Sequence, residues 1–170
     1  MDNSKTYDVV IAGGGMVGLS LAITLSVNDY CQPLSILLVD PSSYLEKPKQ
    51  ISELTYHPSF DARSTALSMS SMEHYRAIGV FDRLAPHVER IKQIHVSDKG
   101  HFGSASLDAN EFSMSEFGGV VENHWLGAVL LRRVAECVNV ELMGGYKVLD
   151  LSPRAETCLL YTSPSPRDTE

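Results

Sequence analysis

The sequence predicts an α/β fold that opens with a strand, a helix and a second strand in parallel. Residues 9–12 and 36–39 are two uncharged apolar runs, and a glycine-rich stretch followed by an apolar segment over 17–27 separates them. Short apolar runs without alternation are typical of strands buried on both faces. Within 17–27 the apolar residues Leu19, Ala22, Ile23 and Leu25 form one stripe, which predicts a helix.

Composition narrows the classes of function. The 170 residues carry 14 basic and 21 acidic side chains, a net charge of −7, without a Lys/Arg block that could follow a phosphate backbone. We therefore expect no nucleic-acid partner. Neither the three cysteines, which lack a CxxC motif, nor the six histidines, which lack an HxH or HxxxH pair, predict a metal site or a disulfide framework. A reducing compartment such as the cytoplasm fits this composition.

The uncharged run 9–25 also resembles a signal peptide or a membrane-spanning helix. A secreted or anchored interaction protein is therefore an alternative, and it predicts cleavage after about residue 27. The glycines argue against it, because each one inside a helix costs about 0.8–1 kcal/mol relative to alanine.

Further elements follow along the chain. Residues 41–60 are polar and predict a loop, after which Ser64 could cap a helix containing Leu67, Met72 and Tyr75 and ending at Gly79. Alternation over 91–97 and a return over 102–107 predict a hairpin around the turn 98–100. A helix over 123–137 and short strands over 138–142 and 147–151 complete the prediction.

Chemistry concentrates in the motif Gly13-x-Gly15-x-x-Gly18 between the first strand and the helix. We expect Gly13 to allow the tight turn, Gly15 to let backbone amides approach a diphosphate, and Gly18 to let the helix pack against the strand. Asp40, 22 residues beyond Gly18, stands where a carboxylate can accept hydrogen bonds from an adenosine ribose. The spacing suits FAD and NAD equally. A structural turn without ligand and a solvated strand end are the alternatives.

Five segments in this order resemble the class A flavoprotein aromatic hydroxylases: GGGMVG, ILLVD, FDARSTALS, IHVSDKGHFG and VVEN. Within that family the resemblance is greatest to the hydroxylases that act on 2-polyprenyl-6-methoxyphenol in ubiquinone biosynthesis. It covers residues 6–152, less than half of a complete family member.

The resemblance implies a Rossmann-like FAD-binding βαβ unit with an inserted β-hairpin region, truncated before the sheet is complete. It implies FAD as cofactor, NAD(P)H as electron donor, O₂ as oxidant and a polyprenylated phenol as substrate. The prenyl tail implies peripheral association with the inner face of the membrane, beside other ubiquinone-biosynthesis proteins. The alternatives are another flavin hydroxylase of the ubiquinone pathway and a non-catalytic Rossmann nucleotide-binding module.

The same resemblance assigns the site residues. The diphosphate is expected on the glycines of the turn and the ribose on Asp40. Arg63, placed between a loop and a helix start, is expected to reach the cofactor, although an ion pair with Asp61 explains it too. Asn123 is expected near the flavin, with a helix N-cap as the equal alternative. Catalytic residues stay unassigned, and the cofactor-binding residues are Gly13, Gly14, Gly15, Gly18, Asp40, Arg63 and Asn123.

The domain prediction follows from this resemblance. Residues 1–157 are expected to form the N-terminal part of an FAD-binding monooxygenase domain, with 85–120 in its substrate-side sheet region. Residues 158–170, rich in Ser, Thr and Pro, are predicted to be an artefactual disordered tail, since they resemble translated library-adapter sequence; a natural linker is the alternative. Such a fragment is expected to expose strand edges and apolar surface and to lack hydroxylase activity by itself.

Overall fold

A computed structural model describes residues 5–28, 33–42, 60, 62–98, 100 and 102–150. The chain divides into two compact units, one formed by residues 1–57 and 130–170 and the other by residues 58–129. Most of the predicted loop 41–60 and all of the predicted tail 158–170 lie outside the described residues.

The first unit contains a three-stranded parallel sheet in the order β1–β2–β8. Its strands are β1 (Val9–Ala12), β2 (Ile36–Asp40) and β8 (Val140–Gly144). The central strand β2 is buried at all five positions: residues 36–39 are apolar, as expected for a strand buried on both faces, and the fifth is Asp40. Parallel pairing sets Val9 opposite Ile36 and Ala12 opposite Val39, so that the carboxyl ends of β1 and β2 meet at one edge of the sheet.

Helix α1 (Met16–Ser26) connects β1 to β2 and confirms the predicted strand–turn–helix–strand order, one residue earlier than expected. Three residues of the predicted apolar stripe are buried, since Leu19, Ala22 and Ile23 each expose 0% of their surface, whereas Leu25 is half-buried. Full burial of a side chain such as Leu19 or Ile23 contributes about 1.5–3 kcal/mol. This packing holds the glycine turn between two fixed elements.

The second unit contains an antiparallel sheet in the order β3–β7–β4 and a separate two-stranded hairpin. The sheet strands are β3 (Ser64–Ser68), β4 (Glu89–Ile91) and β7 (Gly118–Glu122), and the hairpin strands are β5 (Gln93–Ser97) and β6 (Ser104–Asp108). The helices are α2 (Met69–Ala77), α3 (Phe81–Leu84) and α4 (Asn123–Val134), whose last residues belong to the first unit.

The predicted helix beginning after Ser64 is wrong in its first turn. Residues 64–68 form β3, which pairs with residues 118–122 of β7, and the helix α2 begins only at Met69. Ser68 is the N-cap, because its hydroxyl oxygen accepts a 3.2 Å hydrogen bond from the amide of Ser71. Gly79 ends the helical segment with a φ of 72°, as predicted.

Other boundaries also differ. The predicted hairpin is confirmed, but 89–91 belongs to a different sheet and the hairpin strands cover 93–97 and 104–108. Helix α4 begins at Asn123 as predicted and ends three residues before Cys137. The last predicted strand is wrong over 147–150, which carry no strand, while the preceding one lies at 140–144.

The two faces of the hairpin differ in polarity. Ile94 lies opposite Leu107 and Val96 lies opposite Ala105, so these apolar side chains share one face. The polar partners, including the pair of His95 and Ser106, occupy the other face. Val96 exposes 55% of its surface and Leu107 36%, so the apolar face is partly open to solvent.

Candidate nucleotide-binding site

The glycine turn leaves β1 at the carboxyl edge of the parallel sheet. The amide of Gly13 donates a 2.8 Å hydrogen bond to the carbonyl oxygen of Val39, which extends the pairing of β1 with β2 by one residue. Gly13 has a φ of 109°, a conformation that residues with a Cβ rarely adopt. The predicted role of Gly13 in the turn therefore agrees with its backbone conformation.

Gly18 brings the helix close to the strand. A Cβ at this position would lie 1.9 Å from the carbonyl oxygen of Gly13 and 3.4 Å from the Cγ2 atom of Ile11. Only glycine allows this approach, so the position of Gly18 agrees with its predicted packing role.

The N-terminus of α1 faces the turn. The first helical hydrogen bond, 2.9 Å long, runs from the amide of Leu19 to the carbonyl oxygen of Gly15. The four amides of residues 15–18 precede that bond and have no acceptor within the helix. The first turn of α1 carries no acidic residue, so its partial positive charge is available to an anion.

Asp40 ends β2 directly beside this turn and exposes only 7% of its surface. Its Oδ2 atom accepts a 2.7 Å hydrogen bond from the amide of Gly14, and its Oδ1 atom accepts a 2.8 Å bond from the amide of Ser42. The structure therefore brings Asp40 and the glycine turn together, as the sequence predicts. The sequence analysis did not predict that the amides of Gly14 and Ser42 would bind this carboxylate. The available signal was the position of Asp40 at the end of β2, which puts it at the same sheet edge as the glycines.

A second carboxylate binds a backbone amide at the opposite edge of these strands. Oδ2 of Asp8, just before β1, accepts hydrogen bonds of 2.7 Å from the amide and 2.8 Å from the hydroxyl of Ser35. The bond from the backbone amide, and then the one from the hydroxyl, hold the pKa of Asp8 below its ordinary value. Asp8 and Asp40 thus make the same kind of contact at the two ends of one strand pair.

The remaining predicted site residues, Arg63 and Asn123, lie together in the second unit. The amide of Asn123 donates a 2.8 Å hydrogen bond to the carbonyl oxygen of Arg63. The Oδ1 atom of Asn123 accepts a 2.5 Å hydrogen bond from the hydroxyl of Thr65, and Asn123 exposes only 6% of its surface. Thr65 was missed because its segment was interpreted as helical. A β-branched residue within the alternating sequence STALS was the available signal for a strand.

Arg63 differs from its prediction in local structure. It is exposed and immediately precedes strand β3, whereas the sequence placed it at a helix start. The local structure at Arg63 differs from the prediction because residues 64–68 pair with β7 as strand β3 and do not form the first turn of a helix. The proposed ion-pair partner, Asp61, lies outside the described residues.

In the part of the chain that the structure covers, no group of three or more His, Cys, Asp or Glu side chains could hold a metal ion. Among the same residues, no helix has both the length and the apolar character needed to cross a membrane.

Sequence relatives of the chain are monooxygenases. The chain is 29% identical over 150 residues to the mitochondrial ubiquinone biosynthesis monooxygenase COQ6 of Caenorhabditis elegans, covering 88% of this chain and 32% of that protein. It is 28% identical over 135 residues to the ubiquinone hydroxylase UbiL of Rhodospirillum rubrum, covering 76% of this chain and 27% of that one. The chain thus spans about a third or less of the relatives' lengths. No family model matches it.

Solved structures share the fold. The flavin-dependent monooxygenase PieE, determined in complex with FAD and substrate, superimposes with a TM-score of 0.54 at 22% sequence identity, covering 82% of this chain and 24% of that one. The Rossmann-like fold class predicted from the sequence is therefore confirmed. In sequence the chain is similar to the COQ6 and UbiL monooxygenases of ubiquinone biosynthesis, and in fold it is similar to part of the flavin-dependent monooxygenase PieE.

Proposed function

We propose that the chain binds the ADP half of FAD at the carboxyl edge of its parallel sheet. The observation that carries this proposal is the 2.7 Å hydrogen bond between Asp40 and Gly14, which sets a buried carboxylate against the glycine turn. In this arrangement the amides at the start of α1 are donors for a diphosphate, and Asp40 is an acceptor for the adenosine ribose.

The hydrogen-bond donors and acceptors at this sheet edge match those of an ADP group in number and type. An ionised carboxylate offers about four acceptor positions, and Asp40 uses two of them for the amides of Gly14 and Ser42. The other two match the two hydroxyls of a ribose. The diphosphate is an acceptor only, and the turn supplies donors without an acidic side chain in the first helical turn. FAD, rather than NAD, is the ligand that the homology to flavin monooxygenases supports.

The complete protein is proposed to be an FAD-dependent monooxygenase that hydroxylates a polyprenylated phenol in ubiquinone biosynthesis. When bound, FAD supplies the redox chemistry: one oxygen atom of O₂ enters the phenol ring, the other leaves as water, and NAD(P)H provides two electrons. The names of the COQ6 and UbiL relatives support this assignment. Peripheral association with a membrane surface and with other ubiquinone-biosynthesis proteins belongs to the same proposal, because a prenylated substrate partitions into lipid.

The contribution of this chain is to bind and orient. The glycine turn and Asp40 fix the ADP half of the cofactor. Arg63 is proposed to donate from its guanidinium group to the cofactor. Asn123 is proposed to support this arginine, because its amide is bonded to the Arg63 carbonyl and its side chain to Thr65. The chain of 170 residues is proposed to lack hydroxylase activity by itself.

Ligand binding tests the proposal. Titration of the purified chain with FAD, ADP and NAD by calorimetry is expected to show binding of FAD and ADP, with flavin absorbance near 450 nm coeluting in gel filtration. Asp40→Ala is expected to weaken ADP binding by roughly 10- to 150-fold, the loss of hydrogen bonds to a charged group. Binding of ADP and NAD without FAD would indicate the non-catalytic nucleotide module instead, and absence of all binding would refute the assignment of the site.

A further inference from the structure

We propose that Asp40 is also a positioning residue: by holding the amide of Gly14, its carboxylate fixes the glycine turn before any dinucleotide binds. This inference rests on the proposed function, since it concerns how the same site is prepared for its ligand. It gives Asp40 two separate tasks, one toward the ribose and one toward the protein backbone.

The backbone hydrogen bonds of the glycine turn are the first observation that supports a positioning role. Gly13 and Gly14 are consecutive, and both of their amides are bonded to the end of β2. The Gly13 amide donates to the carbonyl oxygen of Val39 at 2.8 Å, and the Gly14 amide donates to Oδ2 of Asp40 at 2.7 Å. The two bonds tie the chain leaving β1 to the neighbouring strand over two successive residues. A glycine-rich segment loses more conformational entropy on ordering than any other, so such bonds have a large effect on its order.

Burial increases the contribution of the hydrogen bond between Asp40 and Gly14 to the order of the turn. Both partners lie in the buried part of the site, where Asp40 exposes 7% of its surface. A hydrogen bond from a backbone amide to an ionised acceptor is stronger than a neutral one, and its loss leaves a buried donor to be satisfied elsewhere. The carboxylate is itself held from its other side by the amide of Ser42 at 2.8 Å. Asp40 is therefore fixed at both oxygens.

The bond also changes the expected role of Gly14. Its amide points to the carboxylate, so we assign it to the turn and not to the diphosphate. The amides that remain for an anion are those at the start of α1, from Gly15 onward, which precede the first helical bond at Leu19. The glycines at 13, 14 and 18 shape the turn, and residue 15 begins the set of donors.

A ligand without ribose hydroxyls separates the two tasks of Asp40. The probes are ADP and 2′,3′-dideoxy-ADP, and the variants of the 170-residue chain are Asp40→Ala, Asp40→Asn and the control Asp8→Asn, which changes the equivalent contact at the opposite strand end. If Asp40 only bound the ribose, Asp40→Ala would leave dideoxy-ADP binding unchanged. Removal of a negative charge beside an anion would even strengthen it.

A positioning role of Asp40 predicts that Asp40→Ala binds dideoxy-ADP more weakly. Asp40→Ala is expected to weaken dideoxy-ADP binding by about three- to tenfold, the value of one ordinary hydrogen bond. Asp40→Asn retains an oxygen that can accept from Gly14, so it is expected to restore most of the dideoxy-ADP affinity while ADP binding stays weak. Asp8→Asn is expected to leave both affinities within about twofold of the parent chain. Unchanged or tighter binding of dideoxy-ADP to Asp40→Ala overturns the proposal.

Amide hydrogen exchange of the ligand-free chain keeps the test independent of nucleotide binding. In Asp40→Ala the Gly14 amide is expected to exchange about tenfold faster relative to the amides of β2, with no such change in Asp8→Asn. If no nucleotide binds the parent chain, the proposed function fails, and this measurement alone decides the positioning role. Should Asp40→Ala not fold, Asp40→Asn decides it: loss of Gly14 protection without any loss of dideoxy-ADP binding in that folded variant contradicts the inference.

Discussion

A Cβ atom at Gly18 would lie 1.9 Å from the carbonyl oxygen of Gly13. The helix and the turn that precedes it therefore approach each other closely through the backbone, at the first and third glycines of the motif. Because the obstructing atom belongs to the backbone, no side-chain rearrangement can relieve the clash. The distance between α1 and the end of β1 depends on the absence of this one methyl group.

Gly18→Ala is expected to lower the free energy of unfolding by about 1–3 kcal/mol, the usual effect of forcing extra atoms into a packed interface. Because the turn must move to make room, ADP binding is expected to weaken as well. Urea denaturation followed by circular dichroism measures the first effect and calorimetry the second. Val17→Ala is the matched control, since Val17 is 83% exposed in the same helical turn, and it is expected to change stability by less than about 0.5 kcal/mol. Equal stabilities for the two variants would contradict the contact.

The carboxylate of Asp8 is expected to give the chain an acid-sensitive contribution to stability. Hydrogen bonds from Ser35 lower the pKa of Asp8 in the folded state. A lowered pKa contributes stability that is present above the unfolded-state pKa and is lost as pH falls through the folded-state value. The difference in urea midpoint between the parent chain and Asp8→Asn is therefore expected to be largest near neutral pH and to shrink below about pH 4.

Ser35→Ala provides the control for this pH dependence. It removes the hydroxyl donor and keeps the backbone amide donor, which is the larger cause of the pKa shift. Its pH dependence is expected to fall between those of the parent chain and Asp8→Asn. If the difference in urea midpoint between the parent chain and Asp8→Asn does not vary with pH, the hydrogen bonds from Ser35 do not stabilise the ionised carboxylate of Asp8.

Thr65→Val is expected to destabilise the second unit by about 1–2 kcal/mol. The substitution keeps the shape of the side chain and removes the hydroxyl that donates to Asn123 Oδ1, which leaves a buried acceptor without this partner. Thermal unfolding measures the loss. The control is Thr24→Val, whose hydroxyl donates a 2.7 Å hydrogen bond to the carbonyl oxygen of Ser20, one turn earlier in α1; its expected cost is below about 0.5 kcal/mol. Equal costs for both substitutions would argue against a special role of the Thr65 contact.

The apolar face of the hairpin is expected to promote self-association of the chain. Val96, at 55% exposure, is more accessible than Leu107, at 36%, on this face. Replacing one methyl group with a hydroxyl in Val96→Thr removes about 0.8 kcal/mol of apolar burial from any such contact, so the concentration at half association is expected to rise about three- to fourfold. Sedimentation velocity at several concentrations measures it. Ser106→Thr, on the polar face, is expected to leave association unchanged, and an equal effect of both would exclude this face as the contact.

Several predictions could be made from local sequence because their signals are local. The uncharged runs of β1 and β2, the glycines between them and the stripe of α1 each occupy fewer than a dozen residues. The hairpin was equally accessible, since alternation and the turn at 98–100 lie side by side. Position in the chain was also enough to place Asp40 at the end of β2, and parallel pairing then sets it beside the turn.

Other features depend on partners far away in the chain. The spacing of apolar residues over 64–68 is compatible with a helix. These residues form a strand because they pair with β7, and the sequence near residue 64 does not indicate that distant partner. The contact between Thr65 and Asn123 depends on the same pairing. The sequence alone determined the strand–turn–helix–strand unit and the identity of its acid. Only the tertiary structure decided that this acid holds Gly14, because a hydrogen bond between residues 26 apart exists only after β1 and β2 have paired.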